Sequence, residues 1–143
     1  MVIETKMHRQ LLHQRFAAQS NQLKQVREWV REAVLASGMN AERTGRVVIG
    51  VNEACMNIIM HAYGDTHGDI ILDIIQDDAQ LSIQLTDFAK TVDCSTIKSR
   101  DLNDIRPGGL GVHFMHEVMD DVSFLPGASG KGNIVVMKVS IKS

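Results

Sequence analysis

The stretch from Arg46 to Asp65 constrains the fold of this chain more than any other, because apolar residues occupy most of its helical positions. They are Val47, Val48, Ile49, Val51, Ala54, Met56, Ile58, Ile59 and Met60. A helix with apolar side chains on nearly every side is stable only when most of its circumference is buried. The sequence therefore predicts a central helix here, surrounded by the rest of the domain.

Three polar residues interrupt this apolar helix at intervals of four: Glu53, Asn57 and His61. Residues four apart lie one turn above another, so the three share a stripe along one helix face. Burying a carboxylate and a carboxamide costs free energy unless they find partners, which favours a polar site on this face. The alternative stays open that these residues face solvent or make only local hydrogen bonds.

Length and composition narrow the class of protein. With 143 residues, of which 44% are hydrophobic, we expect a single domain over residues 1–143 with a substantial core. Binding to the phosphate backbone of a nucleic acid requires a positively charged surface, which a formal net charge of -2 does not suggest. We therefore expect no nucleic acid partner. The N-terminal residues do not resemble a signal peptide, and no run of about 18 apolar residues could span a bilayer. We expect a cytoplasmic protein, without membrane contact, whose partners are proteins or small molecules.

Hydrophobic periodicity divides the chain into helices and strands. Helical spacing occurs between Asn21 and Gly38, in the central helix and again from Val112, and strand signals occur near 11–16 and in 70–76, 81–86, 122–125 and 134–141. The second and third strands are joined by a short turn, which predicts an antiparallel hairpin. The order of elements predicts an α+β fold, a two-layer sandwich with helices on one face of a mixed, mostly antiparallel sheet.

A glycine-rich segment precedes the last predicted helix, with Gly108, Gly109 and Gly111 in the sequence PGGLG. Glycines before a helix let backbone N–H groups approach an anion at the positive helix end, which suits a phosphate. Glycines in this position also often form only a turn, and the segment matches neither the P-loop nor the dinucleotide fingerprint. The polar residues 90–106 before it lack periodicity, which is typical of a functional lid or of disorder.

Three side chains complement a phosphate site chemically. Asn57 can give its carbonyl oxygen to Mg²⁺, which keeps waters and takes phosphate oxygens as ligands. Glu53, one turn away, can accept a proton from an attacking hydroxyl group. Asp87 ends a predicted strand, where its carboxylate could accept a hydrogen bond from an exocyclic amine such as that of adenine.

Together these motifs resemble the conserved boxes of the histidine-kinase-like (GHKL) ATPases. The segment Glu53-x-x-x-Asn57-x-x-x-His61-Ala62-Tyr63 looks like the N box, Asp87 and its successors look like the G1 box, and Pro107-Gly108-Gly109-Leu110-Gly111 looks like the G2 box. Within that superfamily the chain is most similar to the small anti-sigma factors that are also serine-protein kinases, the bacterial partner-switching regulators. The resemblance extends from the first helix to Gly132-Asn133.

The resemblance implies the histidine-kinase-like ATPase fold, with ATP and Mg²⁺ as cofactors. It implies that Asn57 holds the metal ion, that Glu53 is the catalytic general base, and that Asp87 contacts the adenine amine. The residues that it assigns to nucleotide binding are Asn57, Asp87, Ala89, Gly108, Gly109, Leu110, Gly111 and Val112.

The resemblance also implies protein partners. It implies a sigma factor that is sequestered, and an anti-anti-sigma protein of the STAS type that is phosphorylated on Ser or Thr. Arg27 on the first helix is the best match to an arginine that contacts partners in related regulators. A homodimer is implied as well.

One departure from the pattern leaves alternatives open. The G1 box usually continues Asp-x-Gly, whereas this chain has Ala89 in place of the glycine. If that position requires φ > 0 the methyl group strains the backbone, and if it requires only closeness to the base a methyl can fit. A nucleotide-binding module that only sequesters a partner is therefore the alternative to a kinase. A detached sensor-kinase domain is disfavoured, because the chain has no room for a phosphoacceptor helix pair.

Overall fold

The computed structural model describes residues 8–89, 115–127 and 131–142. Its elements in chain order are β1 (His8–Ala17), a 3-10 turn (Ser20–Gln22), α1 (Leu23–Ala36), α2 (Ala41–Asn57), a π-helical segment (Ile58–Tyr63), β2 (Asp69–Asp77), β3 (Gln80–Asp87), β4 (Asp121–Pro126) and β5 (Asn133–Ser140). Residues 115–118 are also helical. The predicted strands and the two long helices are thus confirmed within the described residues.

The strands form one five-stranded sheet in the order β1-β2-β3-β5-β4. Each neighbouring pair is antiparallel, so the predicted mostly antiparallel sheet is confirmed, and the pairs among the described strands are all antiparallel. The predicted hairpin is formed by β2 and β3, whose register places Ile74 opposite Ile83. The α+β fold is confirmed.

The core lies between one face of the sheet and the helices. Alternate residues of the central strands are buried: Ile70, Leu72, Ile74, Leu81, Ile83, Leu85, Val135, Met137 and Val139. Opposite them, α1 contributes Val26, Val30 and Val34, and α2 contributes Val47, Val48 and Val51. Period-2 burial in the strands and helical burial in α1 and α2 give the two layers. Each of these side chains stabilises the fold by roughly 1.5–3 kcal/mol when it is fully buried.

The central helix begins at Ala41, directly after Asn40. Asn40 caps it, because its side-chain oxygen accepts a hydrogen bond from the Arg43 N–H at 2.8 Å. The Arg43 guanidinium donates to the backbone carbonyls of Ser140 and Ile141, which ties the first turn of α2 to the end of β5. The helix that carries Glu53 and Asn57 is therefore fixed at its start by both a local cap and a long-range contact.

Candidate functional site

The central helix changes its hydrogen-bonding pattern directly after Asn57. The residues from Ile58 to Tyr63 are π-helical. At the end of this segment, the Gly64 N–H donates a hydrogen bond to the Ile59 carbonyl at 3.0 Å. π-helical turns are rare and frequently occur at functional sites. The wider turn removes His61 from the α-helical stripe, and its side chain is exposed, whereas Glu53 and Asn57 are half-buried.

Asn57 carries an unsatisfied polar atom. Its Nδ2 is buried and has no hydrogen-bond partner among the described residues. Leaving such a group unpaired costs about 1–3 kcal/mol, which is unusual unless a ligand satisfies it. Because rotation of the amide exchanges its nitrogen and oxygen, the same position can present a carbonyl oxygen to a hard cation. The donor chemistry at Asn57 therefore fits Mg²⁺.

Arg27 of α1 lies beside the helix that carries Glu53. Its Nη1 donates to Asn52 Oδ1 at 3.0 Å, and Asn52 precedes Glu53 in the chain. The Asn52 amide in turn contacts Met56 Sδ at 3.6 Å. Arg27 is half-buried, so part of it still faces outward. The structure thus brings the predicted partner-contact residue against the turn of α2 that contains the predicted catalytic residue.

Asp87 is the last residue of β3 and is almost completely buried, with 1% of its surface exposed. Its Oδ1 accepts hydrogen bonds from the Ala89 N–H and from Asn133 Nδ2, both at 3.0 Å. Burial raises the pKa of Asp87 above its ordinary value, and the hydrogen bonds from Asn133 and Ala89 oppose that shift. Among the residues that the structure describes, no cation forms an ion pair with this carboxyl group.

Ala89 stands where the G1 pattern predicts a glycine, and its backbone is not strained. Apart from glycines, the one described residue with a positive φ is Asp78, so Ala89 does not adopt the left-handed conformation. Its side chain is buried at 9% exposure, and its N–H is the donor to Asp87. The methyl group therefore affects this site through the space that it fills.

Asn133 and Gly132 form the part of the site to which the sequence assigns no role. Gly132 has a φ of 75°, and a Cβ atom there would overlap the Asp87 carbonyl oxygen. The Gly127 N–H also donates to the Gly132 carbonyl at 3.0 Å, so the residue after β4 and the residue before β5 lie close together. A glycine directly before a strand is the sequence feature that could have indicated this close approach of two backbones.

The glycine-rich loop lies outside the described residues, and so do residues 90–106. The roles of Gly108, Gly109, Leu110, Gly111 and Val112 therefore remain predictions. The helical residue Val118 and the next residue, Met119, lie against α2, since a Cβ atom at Gly50 would lie 3.9 Å from Val118 Cβ and 3.3 Å from Met119 Cε. Met119 therefore packs against α2 at Gly50, three residues before Glu53.

Comparison with known proteins agrees with this fold. The family model for a histidine kinase-like ATPase domain matches residues 16–139. The chain is similar to two proteins named serine-protein kinase RsbW, from Bacillus mycoides and Bacillus cereus, each 31% identical over 85 residues. These matches cover 54% of this chain and 53% of each relative, so the chain spans about half the length of the curated relatives that it matches.

A solved structure supports the fold independently. The histidine kinase domain of a blue-light activated histidine kinase from Erythrobacter litoralis superposes with a TM-score of 0.56 at 18% identity. The match covers 81% of this chain and 61% of that one, and at this identity it supports the fold alone. Among the described helices, none is long and apolar enough to cross a lipid bilayer.

Proposed function

We propose that this chain, which belongs to the histidine kinase-like ATPase domain family, binds ATP with Mg²⁺ and acts as a serine/threonine-protein kinase and anti-sigma factor. The observation that carries the nucleotide site is Asp87, a buried carboxyl group with no cationic partner among the described residues. A buried carboxylate that lacks a counter-charge is costly, which favours a role in ligand recognition. The exocyclic amine of adenine is the donor that would suit it.

Asn57 and Glu53 would act at the phosphate end of the nucleotide. Asn57 would hold the metal ion through its carbonyl oxygen, brought by rotation of the amide to the position where Nδ2 now has no partner among the described residues. Mg²⁺, when bound, neutralises charge on the phosphate oxygens. Glu53 would orient the acceptor hydroxyl and take its proton. The backbone of Gly108, Gly109, Leu110, Gly111 and Val112 would surround the phosphates.

The proposed acceptor is a Ser or Thr of a STAS-type anti-anti-sigma protein, and the proposed sequestered partner is a sigma factor. The proposal is supported by the similarity to proteins named serine-protein kinase RsbW. It is supported as well by the position of Arg27, whose half-buried side chain lies against Asn52 beside Glu53. A partner that contacts Arg27 would bring its hydroxyl group near the general base. We propose a cytoplasmic homodimer as the working form.

The first test is isothermal titration of the protein with ATP and ADP, with and without Mg²⁺, beside an Asn57→Ala control. We expect micromolar affinity that requires Mg²⁺ and is lost in the variant. Absence of binding by the unaltered protein would contradict the proposal.

A second function is favoured by Ala89, whose buried methyl group fills space that glycine would leave near Asp87. If that space is needed for the base, the chain would sequester a partner without transferring phosphate. Restoring glycine with Ala89→Gly separates the two functions. Phosphorylation that appears only in this variant would support the sequestering module, whereas equal phosphorylation by both proteins would support the kinase.

A further inference from the structure

Tyr63 connects the two halves of the site through its hydroxyl group. It is the last residue of the π-helical segment that follows Asn57, and 6% of its surface is exposed. The hydroxyl donates to the Asp69 carbonyl at 2.5 Å and accepts the Phe88 N–H at 2.8 Å. One phenol thus contacts the first residue of β2 and the residue that follows Asp87.

The hydroxyl acts where the pairing of β2 with β3 stops. The last paired residues at this end are Ile70 and Asp87, and Asp69 and Phe88 come directly beyond them. The phenol bridges these two backbone groups, so it fixes the direction of the chain as it leaves β3. Phe88 lies between Asp87 and Ala89, and the Ala89 N–H is bonded to the Asp87 carboxyl group. An anchor on the Phe88 N–H therefore constrains the turn that orients this carboxyl group.

The surroundings of the ring leave it little freedom. A Cβ atom at Gly68 would overlap Cε1 of Tyr63. The backbone at Gly68 therefore packs directly against the ring, which a residue with a side chain would not allow. Burial is the main cause of a raised pKa at Tyr63, which keeps the phenol protonated and able to donate to Asp69. A side chain needed only to fill the core would not require a hydroxyl group with both a donor and an acceptor partner.

We infer that Tyr63 is a positioning residue for Asp87 and thereby sets the preference of the site for an adenine base. The inference rests on the proposed function, because it concerns the same carboxyl group. It adds that selectivity for the base depends on a hydroxyl group that itself touches no nucleotide. Loss of this hydroxyl should therefore weaken recognition of the base while the phosphate end, at Asn57, is unaffected.

The test compares Tyr63→Phe with Thr66→Val. Thr66 offers a matched control, since its hydroxyl donates to the Tyr63 carbonyl at 2.6 Å in the same turn but does not contact Phe88. Dissociation constants for ATP and for GTP are measured by competition against a fluorescent ATP analogue. Amide hydrogen exchange at Phe88 and Ala89 is measured in the protein without nucleotide.

We expect Tyr63→Phe to weaken ATP binding by roughly 3- to 10-fold, the value of one or two neutral hydrogen bonds, with GTP binding unchanged. Amide exchange at Phe88 should rise by a similar factor, and Thr66→Val should change neither quantity. Equal weakening of ATP and GTP, an equal effect of Thr66→Val, or unchanged exchange at Phe88 would each overturn the inference. If the unaltered protein binds neither nucleotide, the proposed function fails and the inference fails with it. If the unaltered protein prefers ATP and Tyr63→Phe retains that preference, the inference alone fails.

Discussion

The two ends of the candidate site differ in how far the protein's own groups satisfy them. At the end of β3, Asp87 accepts hydrogen bonds from Ala89 and Asn133, and Tyr63 holds the next backbone N–H. At the end of α2, Asn57 Nδ2 is buried with no hydrogen-bond partner among the described residues. The first end is prearranged by the fold, whereas the second has an unmet hydrogen-bonding requirement. Under the proposed function, the first would be a rigid base-recognition end, and the second would be a metal and phosphate end that ligands complete.

Removing the proposed general base should give the largest effect and should separate chemistry from binding. Glu53→Ala is expected to reduce phosphoryl transfer to the partner by about 10²- to 10⁴-fold, the usual contribution of a positioned base. ATP affinity and partner binding should stay unchanged, because neither depends on that proton transfer. Rates come from a phosphorylation assay and affinities from titration calorimetry, with Glu53→Gln as the variant of matched size. A Glu53→Ala protein that phosphorylates at the original rate would exclude this role.

Changing Asp87 should affect binding without harming the fold. Asp87→Asn keeps an oxygen that can accept the bonds from Ala89 and Asn133 but removes the charge, so ATP affinity should fall by about 10- to 100-fold. The variant should melt no lower than the original protein, because it no longer buries an unpaired charge. Calorimetric titration and thermal unfolding measure the two effects. Parallel losses of affinity and melting temperature would mean that Asp87 serves the fold alone.

Truncating the amides at the two ends should lower stability at one end and not at the other. Asn133→Ala removes a hydrogen bond to a buried carboxyl group and should lower the free energy of unfolding by about 1–2 kcal/mol. Asn57→Ala removes a buried amide without a described partner, and alanine also favours a helix, so stability should stay equal or rise by up to about 1 kcal/mol. Urea unfolding of the protein without nucleotide gives both values. A marked loss of stability in Asn57→Ala would contradict the inferred difference between the two ends.

The smallest effect concerns pH. Because burial raises the pKa of Asp87, the folded protein takes up this proton at a higher pH than the unfolded chain does. As pH falls through the raised pKa, the contribution of this group to stability should increase, since the folded state then binds more protons than the unfolded state. ATP affinity should fall over the same range as the carboxylate is lost. Unfolding and titration as functions of pH check both trends, and in Asp87→Asn both should be absent.

Much of the fold follows from local patterns. The alternation of Leu81, Ile83 and Leu85 predicts a half-buried strand, and the structure buries all three. Spacing by four predicts that Glu53 and Asn57 share a helix face, and both lie in α2 half-buried. The sequence also correctly predicts that the helices cover one face of the sheet, because the apolar positions of strands and helices must be buried against each other.

Other elements depend on contacts that no local pattern records. The apolar residues 11–16 predict a short first strand, but β1 runs from His8 to Ala17 and pairs with β2 along that length. Arg15 Nε bonds Asp69 at 2.7 Å and His13 Nδ1 lies 2.5 Å from Asp73. Cross-strand pairs of this kind stabilise a strand whose own residues carry only a weak apolar signal.

By itself, the sequence determined the two-layer α+β fold and the spacing of Glu53, Asn57 and Asp87, because periodicity and helical offsets are properties of adjacent residues. Only the tertiary structure decided how Asp87 is held. Asn133 lies 46 positions away in the chain and Tyr63 is 25 positions from Phe88. Hydrogen bonds across such separations arise from strand register and from the way the π-helical segment packs against Gly68. They depend on the folded geometry of several elements at once, which no single segment of sequence contains.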